Sequence, residues 1–77
     1  MKPTPEGIAK RAAVLGAMRA DGSPVSATVV GAYLDLPRPV VYYHLQVLLD
    51  DGRIVVDHTT THGTHIEHHY RLTGAGA

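Results

Sequence analysis

Seventy-seven residues make one small domain, and a chain this short buries only about 60 to 65 % of its unfolded surface, so its stability should be modest. Cysteine is absent, which excludes disulfides and thiolate metal sites, and no apolar run reaches the roughly 18 residues of a membrane span. Seven Lys and Arg balance seven Asp and Glu, which argues against holding nucleic acid by bulk charge and puts the weight on how the charges are distributed.

No signal-peptide apolar segment follows the opening MKPTPEG, so the expected location is the cytoplasm. Thr4-Pro5-Glu6 reads as an N-cap, a proline in the first helical turn and an acid beside it. A first helix is predicted from Pro5 to Ala20, stopped by Asp21-Gly22 and Ser23-Pro24. Ile8, Ala12, Leu15 and Met18 form its stripe of larger residues, which predicts a core face. Ala9, Ala13, Gly16, Ala17 and Ala20 form a face of small residues that lets another helix approach closely. That face is either solvent-facing or packed within this domain, or it is the contact of a homodimer.

Val25 is placed to pair as a very short strand. Ser26 is the expected cap of a second helix, Ala27 to Leu34, with Val30, Gly31 and Leu34 turned inward. Gly31 weakens helix propensity, which points to a close helix crossing there. Asp35 falls where the turn needs a left-handed residue, a conformation Asp tolerates better than most. Leu36-Pro37 then leads directly into a third helix, Arg38 to Asp51, so the pair reads as a helix-turn-helix.

In the third helix Val41, Leu45 and Leu48 recur at the spacing of one buried side. His44 lies between them and is expected to be a satisfied, partly buried structural histidine rather than a ligand. Arg38, Tyr42, Tyr43 and Gln46 project the other way, and a helix held by one face and polar on the other suits a DNA major groove. Arg can grip guanine, Gln can pair with adenine, and Tyr can reach phosphate or a thymine methyl. The competing reading buries both tyrosine rings between helix and hairpin. Asp50 and Asp51 read as ordinary surface acids at the helix end.

Gly52 ends the helix, and two strands, 53–58 and 65–72, follow with a polar tip at 59–64. Alternation puts Ile54, Val56, Ile66, Tyr70 and Leu72 on one face, with His58 and His68 on the same parity. Five of the six histidines lie between His58 and His69. Beside a polyanion their protonation is favoured, so the hairpin can become positive in a complex. A zinc reading of His58 and His68 lacks the further ligands zinc needs, and no metal or cofactor is predicted. No nucleophile elbow, P-loop or zinc-hydrolase motif is present, so the chain does not read as an enzyme.

The run from Leu36-Pro37-Arg38-Pro39 through His44-Leu45 and Leu48 to Gly52-Arg53-Ile54 resembles the ArsR-type repressors, whose pattern here is roughly LSQPTVSHHLKVL followed by AGLV. The ending Tyr70-Arg71-Leu72-Thr73 is similar to that family's closing strand, often written YYRLT. The likeness covers about residues 8 to 73. Pro37 stands where the family usually has a capping Ser, and the cysteines of its metal-sensing motif are absent. No helix is expected after the hairpin, which leaves only the first helix to build a dimer.

The resemblance implies an α+β fold, a winged helix-turn-helix of three helices followed by a two-stranded β-hairpin wing, in one domain over 1–77 with frayed ends at 1–4 and 74–77. It implies a sequence-specific binder of double-stranded DNA, a small repressor with helix 38–51 in the major groove. Its expected DNA-binding residues are Arg38, Pro39, Tyr42, Tyr43, Gln46, Arg53, His62, His65 and Arg71. Lys2, Lys10, Arg11 and Arg19 either touch the DNA backbone or solvate the first helix. A protein-interaction module without DNA binding, and a regulator answering to pH or metal through its histidines, stay open beside it.

Overall fold

The computed structural model describes residues 4–74, which leaves Lys2 outside the described residues. Thr4 is extended, and its Oγ1 accepts a 3.0 Å hydrogen bond from the Gly7 amide, so the cap forms where it was predicted. Pro5 opens α1 (Pro5–Asp21), and Gly22 closes it with φ 75, its amide donating to the Met18 carbonyl. The buried residues of α1 are Val14, Leu15 and Met18. Ile8 and Ala12, predicted to face the core, are exposed, Ile8 by 53 %. Val14, off the predicted stripe, enters the core in their stead, while Ile8 and Ala12 border an open groove beside the end of the third helix.

A two-residue strand, β1 (Val25–Ser26), follows. Ser26 also caps α2 (Ala27–Leu34), its Oγ accepting from the Val29 amide at 3.3 Å. Ala27 and Val30 are buried. The tight approach at Gly31 is made by the turn rather than by a crossing helix: a Cβ there would lie 3.1 Å from the Leu36 carbonyl oxygen, with Val41 Cγ2 of the third helix at an ordinary 3.5 Å. Asp35 adopts φ 54 and ψ 49, the left-handed turn that swings the chain into α3 (Arg38–Asp50). Pro37 caps α3 without a side-chain bond, leaving the Val40 and Val41 amides to the Pro37 carbonyl.

Val41, Leu45 and Leu48 are fully buried and close the core with Val14, Val30 and Ile54. After Gly52 (φ 71) the chain enters a hairpin, β2 (Ile54–His62) and β3 (His65–Leu72). The hairpin is longer than predicted. Its turn is only Gly63 and Thr64, with glycine at the first central position of a two-residue connection, where a positive φ is required. Residues 59–62, expected in the tip, are strand. β1 pairs with the outer side of β3, so the wing belongs to a three-stranded antiparallel sheet in the order β1-β3-β2.

One irregularity changes which residues share a face. Val56 pairs with Tyr70 but His58 pairs with His69, so Asp57 is an extra residue, a β-bulge. Beyond it every side chain of β2 switches sides relative to the alternation. His58 therefore does not share a face with His68, as strict alternation predicted; Thr59 lies opposite His68 instead. Ile54, Tyr70 and Leu72 turn toward the helices, while Val56 and Ile66 on the same face extend beyond them and are 44 % and 61 % exposed.

Candidate nucleic-acid interface

Each residue of an α-helix advances the side chain by about 100°. With Val41 at the centre of the buried side of α3, Pro39, Tyr43, Gln46 and Asp50 fall on the opposite side. Tyr42 and Arg38 form one flank. Arg38, Pro39 and Gln46 are exposed, as are Tyr42 and Tyr43 by 46 % and 58 %. Arg38 makes no ion pair among the described residues.

The two tyrosines lean apart. Tyr43 turns toward α1, where the Arg11 guanidinium carbon is 6.0 Å from its ring centroid, and it meets His44 edge-on at 5.2 Å. Tyr42 turns toward the sheet, near enough to Tyr70 to affect it: burial first, and then Tyr42, raise the Tyr70 hydroxyl above its usual range. The outer face of α3 is thus a central polar strip between two aromatic edges. Gln46 lies in that strip, and its Nε2 donates a 3.0 Å hydrogen bond to Asp50 Oδ1. Sequence reasoning set Asp50 aside as a surface acid, although its spacing of four residues from Gln46 was the available signal.

Beneath this face, His44 points inward as expected, but at 2 % exposure it is fully rather than partly buried, and it is not satisfied. Its Nδ1 and the Nε of Arg11 are buried without hydrogen-bond partners. Burial lowers the His44 pKa, and the nearby charges of Arg11 and Lys10 lower it further. The imidazole therefore belongs in the core as a neutral group. Arg11 is a packing element between α1 and α3 rather than a purely solvated charge.

On the face of the hairpin that the bulge creates, the His58 and His69 rings stack with centroids 4.4 Å apart and planes 4° from parallel. His58 Nδ1 lies 2.6 Å from Asp57 Oδ2, and His69 Nε2 lies 3.0 Å from Thr60 Oγ1 and 3.6 Å from Glu67 Oε1. The Thr28 hydroxyl, at the start of α2, donates to the other Glu67 oxygen at 3.4 Å and ties the wing to the helix-turn-helix. His62 and His65 are exposed and directly opposed across the tip. Among the described residues no three His, Asp or Glu side chains converge as a metal ion would require.

The two arginines at the wing base are not brought together. Arg71 is held by Asp57, Nε to Oδ1 at 3.3 Å. Arg53 lines a shallow groove with Ile8, Arg11, Leu15, Leu48 and Asp51 between α1 and the end of α3. On α1, Ala9, Ala13, Gly16 and Ala20 are exposed and Ala17 is half-buried. Ala17 and Ala20 border a second groove, with Val29 and Tyr33 of α2 on its other side. No helix among the described residues is long and apolar enough to cross a membrane.

A family model described as a helix-turn-helix domain matches residues 9–57, well over half of the chain. The match runs from α1 through α3 into the first residues of β2, so it covers the buried side of α3 and the whole of its polar face. No curated protein matches the chain.

Proposed function

The chain belongs to the helix-turn-helix domain family, a family of DNA-binding regulatory domains, and from that premise we propose that it is a sequence-specific repressor of the ArsR-like type. The observation that carries the reading is the division of α3. Its apolar side is locked by Val41, Leu45 and Leu48, while Arg38, Pro39, Tyr42, Tyr43 and Gln46 remain available to a major groove. The outer face of α3 is read as a contact surface for DNA rather than as a catalytic site.

His62 and His65 at the wing tip, with Arg53 and Arg71 at its base, supply the backbone contacts. Arg71 reaches phosphate by exchanging its Asp57 partner. Two copies joined through the small-residue face of α1 (Ala9, Ala13, Gly16, Ala17 and Ala20) would read half-sites about 34 Å apart. Selection of bound sequences from a random library of DNA duplexes tests this directly. The expected result is enrichment of a defined half-site, repeated with two-fold symmetry if the chain dimerises; failure to enrich any sequence contradicts it.

A second reading has its own support. Tyr33, 70 % exposed, and Val29 beside it give α2 an apolar surface that a protein partner could cover, and the net charge is zero. Salt separates the two. DNA binding weakens steeply as salt rises, whereas an apolar protein contact barely responds.

A further inference from the structure

We propose that Asp50 is a specificity-determining residue of α3, one that orients Gln46 toward adenine and rejects guanine at the expense of overall affinity. The inference rests on the DNA-binding reading above. Asp50 is the last residue of α3, exposed, in the strip that also carries Pro39 and Gln46. It makes no ion pair among the described residues, and its observed side-chain partner is the Gln46 amide at 3.0 Å. An acid in the last turn of a helix opposes the helix dipole, so helix stability alone does not account for a carboxylate at this point.

The chemistry of the pair is directional. A free glutamine amide can rotate and offer either its oxygen or its nitrogen to a base edge. With one N–H committed to Asp50, Gln46 keeps its Oε1 acceptor and a second N–H. That arrangement is complementary to adenine, whose N6 amino group donates and whose N7 accepts. The second Asp50 oxygen is also an acceptor. Facing adenine N6 or cytosine N4 it meets a donor, but facing guanine it meets O6 and N7, both acceptors. A carboxylate in a groove bounded by phosphates is repelled whatever the sequence. The residue thus lowers affinity everywhere and lowers it most where guanine stands, which is discrimination by penalty as well as by contact.

This predicts two effects of opposite sign from one substitution. Asp50→Asn keeps an amide-sized group and removes the charge; Asp50→Ala removes both the charge and the anchor. Duplexes carrying the sequence selected by the unsubstituted chain, a variant with guanine for adenine at the Gln46-contacted position, and random-sequence DNA are titrated at one salt concentration. Both substitutions should tighten binding to random-sequence DNA severalfold and cut the preference for adenine over guanine by at least about fivefold. Gln46→Ala should lose the same preference without gaining affinity. Unchanged base preference in both Asp50 variants, with DNA binding intact, overturns the proposal and leaves the DNA-binding reading standing. A uniform loss of affinity on all three duplexes also overturns it, since that marks Asp50 as structural. If the unsubstituted chain binds none of the three, the DNA-binding reading itself fails and this inference falls with it.

Discussion

His44 shows how one side chain can report on the whole fold. It is buried beneath the outer side of α3, its pKa is lowered by burial and then by Arg11 and Lys10, and its Nδ1 has no partner. In the unfolded chain a histidine takes up a proton near pH 6.5. The folded chain resists protonation until a lower pH, so below about 6.5 the unfolded state binds more protons. Stability is therefore full above that value and falls as the pH falls through it toward the lowered native pKa. Thermal melts between pH 7.5 and 5 should show a declining midpoint, and His44→Leu should flatten part of that decline. Melts of the variant that keep the full slope would contradict this role of His44. The inward position of His44 was legible from its place between Val41 and Leu48. The orphaned Nδ1 was not, because it depends on which groups the fold brings against the ring, and Arg11, which lies thirty-three residues away in the chain, is one that acts on it.

The elements divide by how local their determinants are. α2 appears with its predicted bounds and α1 and α3 within one residue of theirs, because Thr4, Pro5, Gly22, Ser26 and Asp35 each act within a few residues of themselves. That Gly31 has a close neighbour was legible for the same reason, since a glycine inside a short helix has a cost that calls for one; that the neighbour is the turn carbonyl of Leu36 and not a crossing helix was not. Gly31→Ala would bring a Cβ to 3.1 Å from the Leu36 carbonyl. The gain in helix propensity is up to about 1 kcal/mol, while forcing apart a packed contact costs about 1 to 3 kcal/mol. Chemical denaturation should therefore find the variant less stable, by about 1 kcal/mol. Equal or greater stability would show that the turn at Leu36 yields more easily than its geometry indicates. The hairpin was less legible. Alternation alone carries no mark of the bulge at Asp57, so the histidine faces were misassigned, and the Gly63-Thr64 turn was hidden inside a polar stretch that looked like a loop. Ile8 was misjudged because a helical stripe says which side is apolar, not how far along the helix a neighbour reaches.

For the whole molecule the open quantity is assembly. The small-residue face of α1 is exposed, and nothing within the described chain covers Ala9, Ala13 or Gly16. If this face joins two copies, Ala13→Glu places two like charges at close helix approach. Sedimentation should then show a dimer for the unsubstituted chain and a monomer for the variant, with the melting midpoint of the monomer unit little changed. A monomer in both cases would assign the face to solvent and predict an unsymmetrical DNA site. Zero net charge also acts at this scale. On the proposed reading, binding is carried by local charge, Arg38 and the wing-tip histidines, rather than by the net charge of the molecule, which is zero. Arg38→Ala should weaken binding to a selected duplex about 5- to 150-fold if it pairs with guanine. If it touches only phosphate, the loss should instead be uniform across sequences, with the salt slope reduced by about 1.

In the proposed complex the outer side of α3 and the tip of the wing meet DNA together. Nuclear magnetic resonance of the isotope-labelled chain, titrated with a duplex recovered by selection, tests it residue by residue. The largest changes are expected in the signals of Arg38, Tyr42, Gln46, His62 and His65, with Val29 and Tyr33 little affected. Changes confined to Val29, Tyr33 and their groove, or none at all, would contradict it.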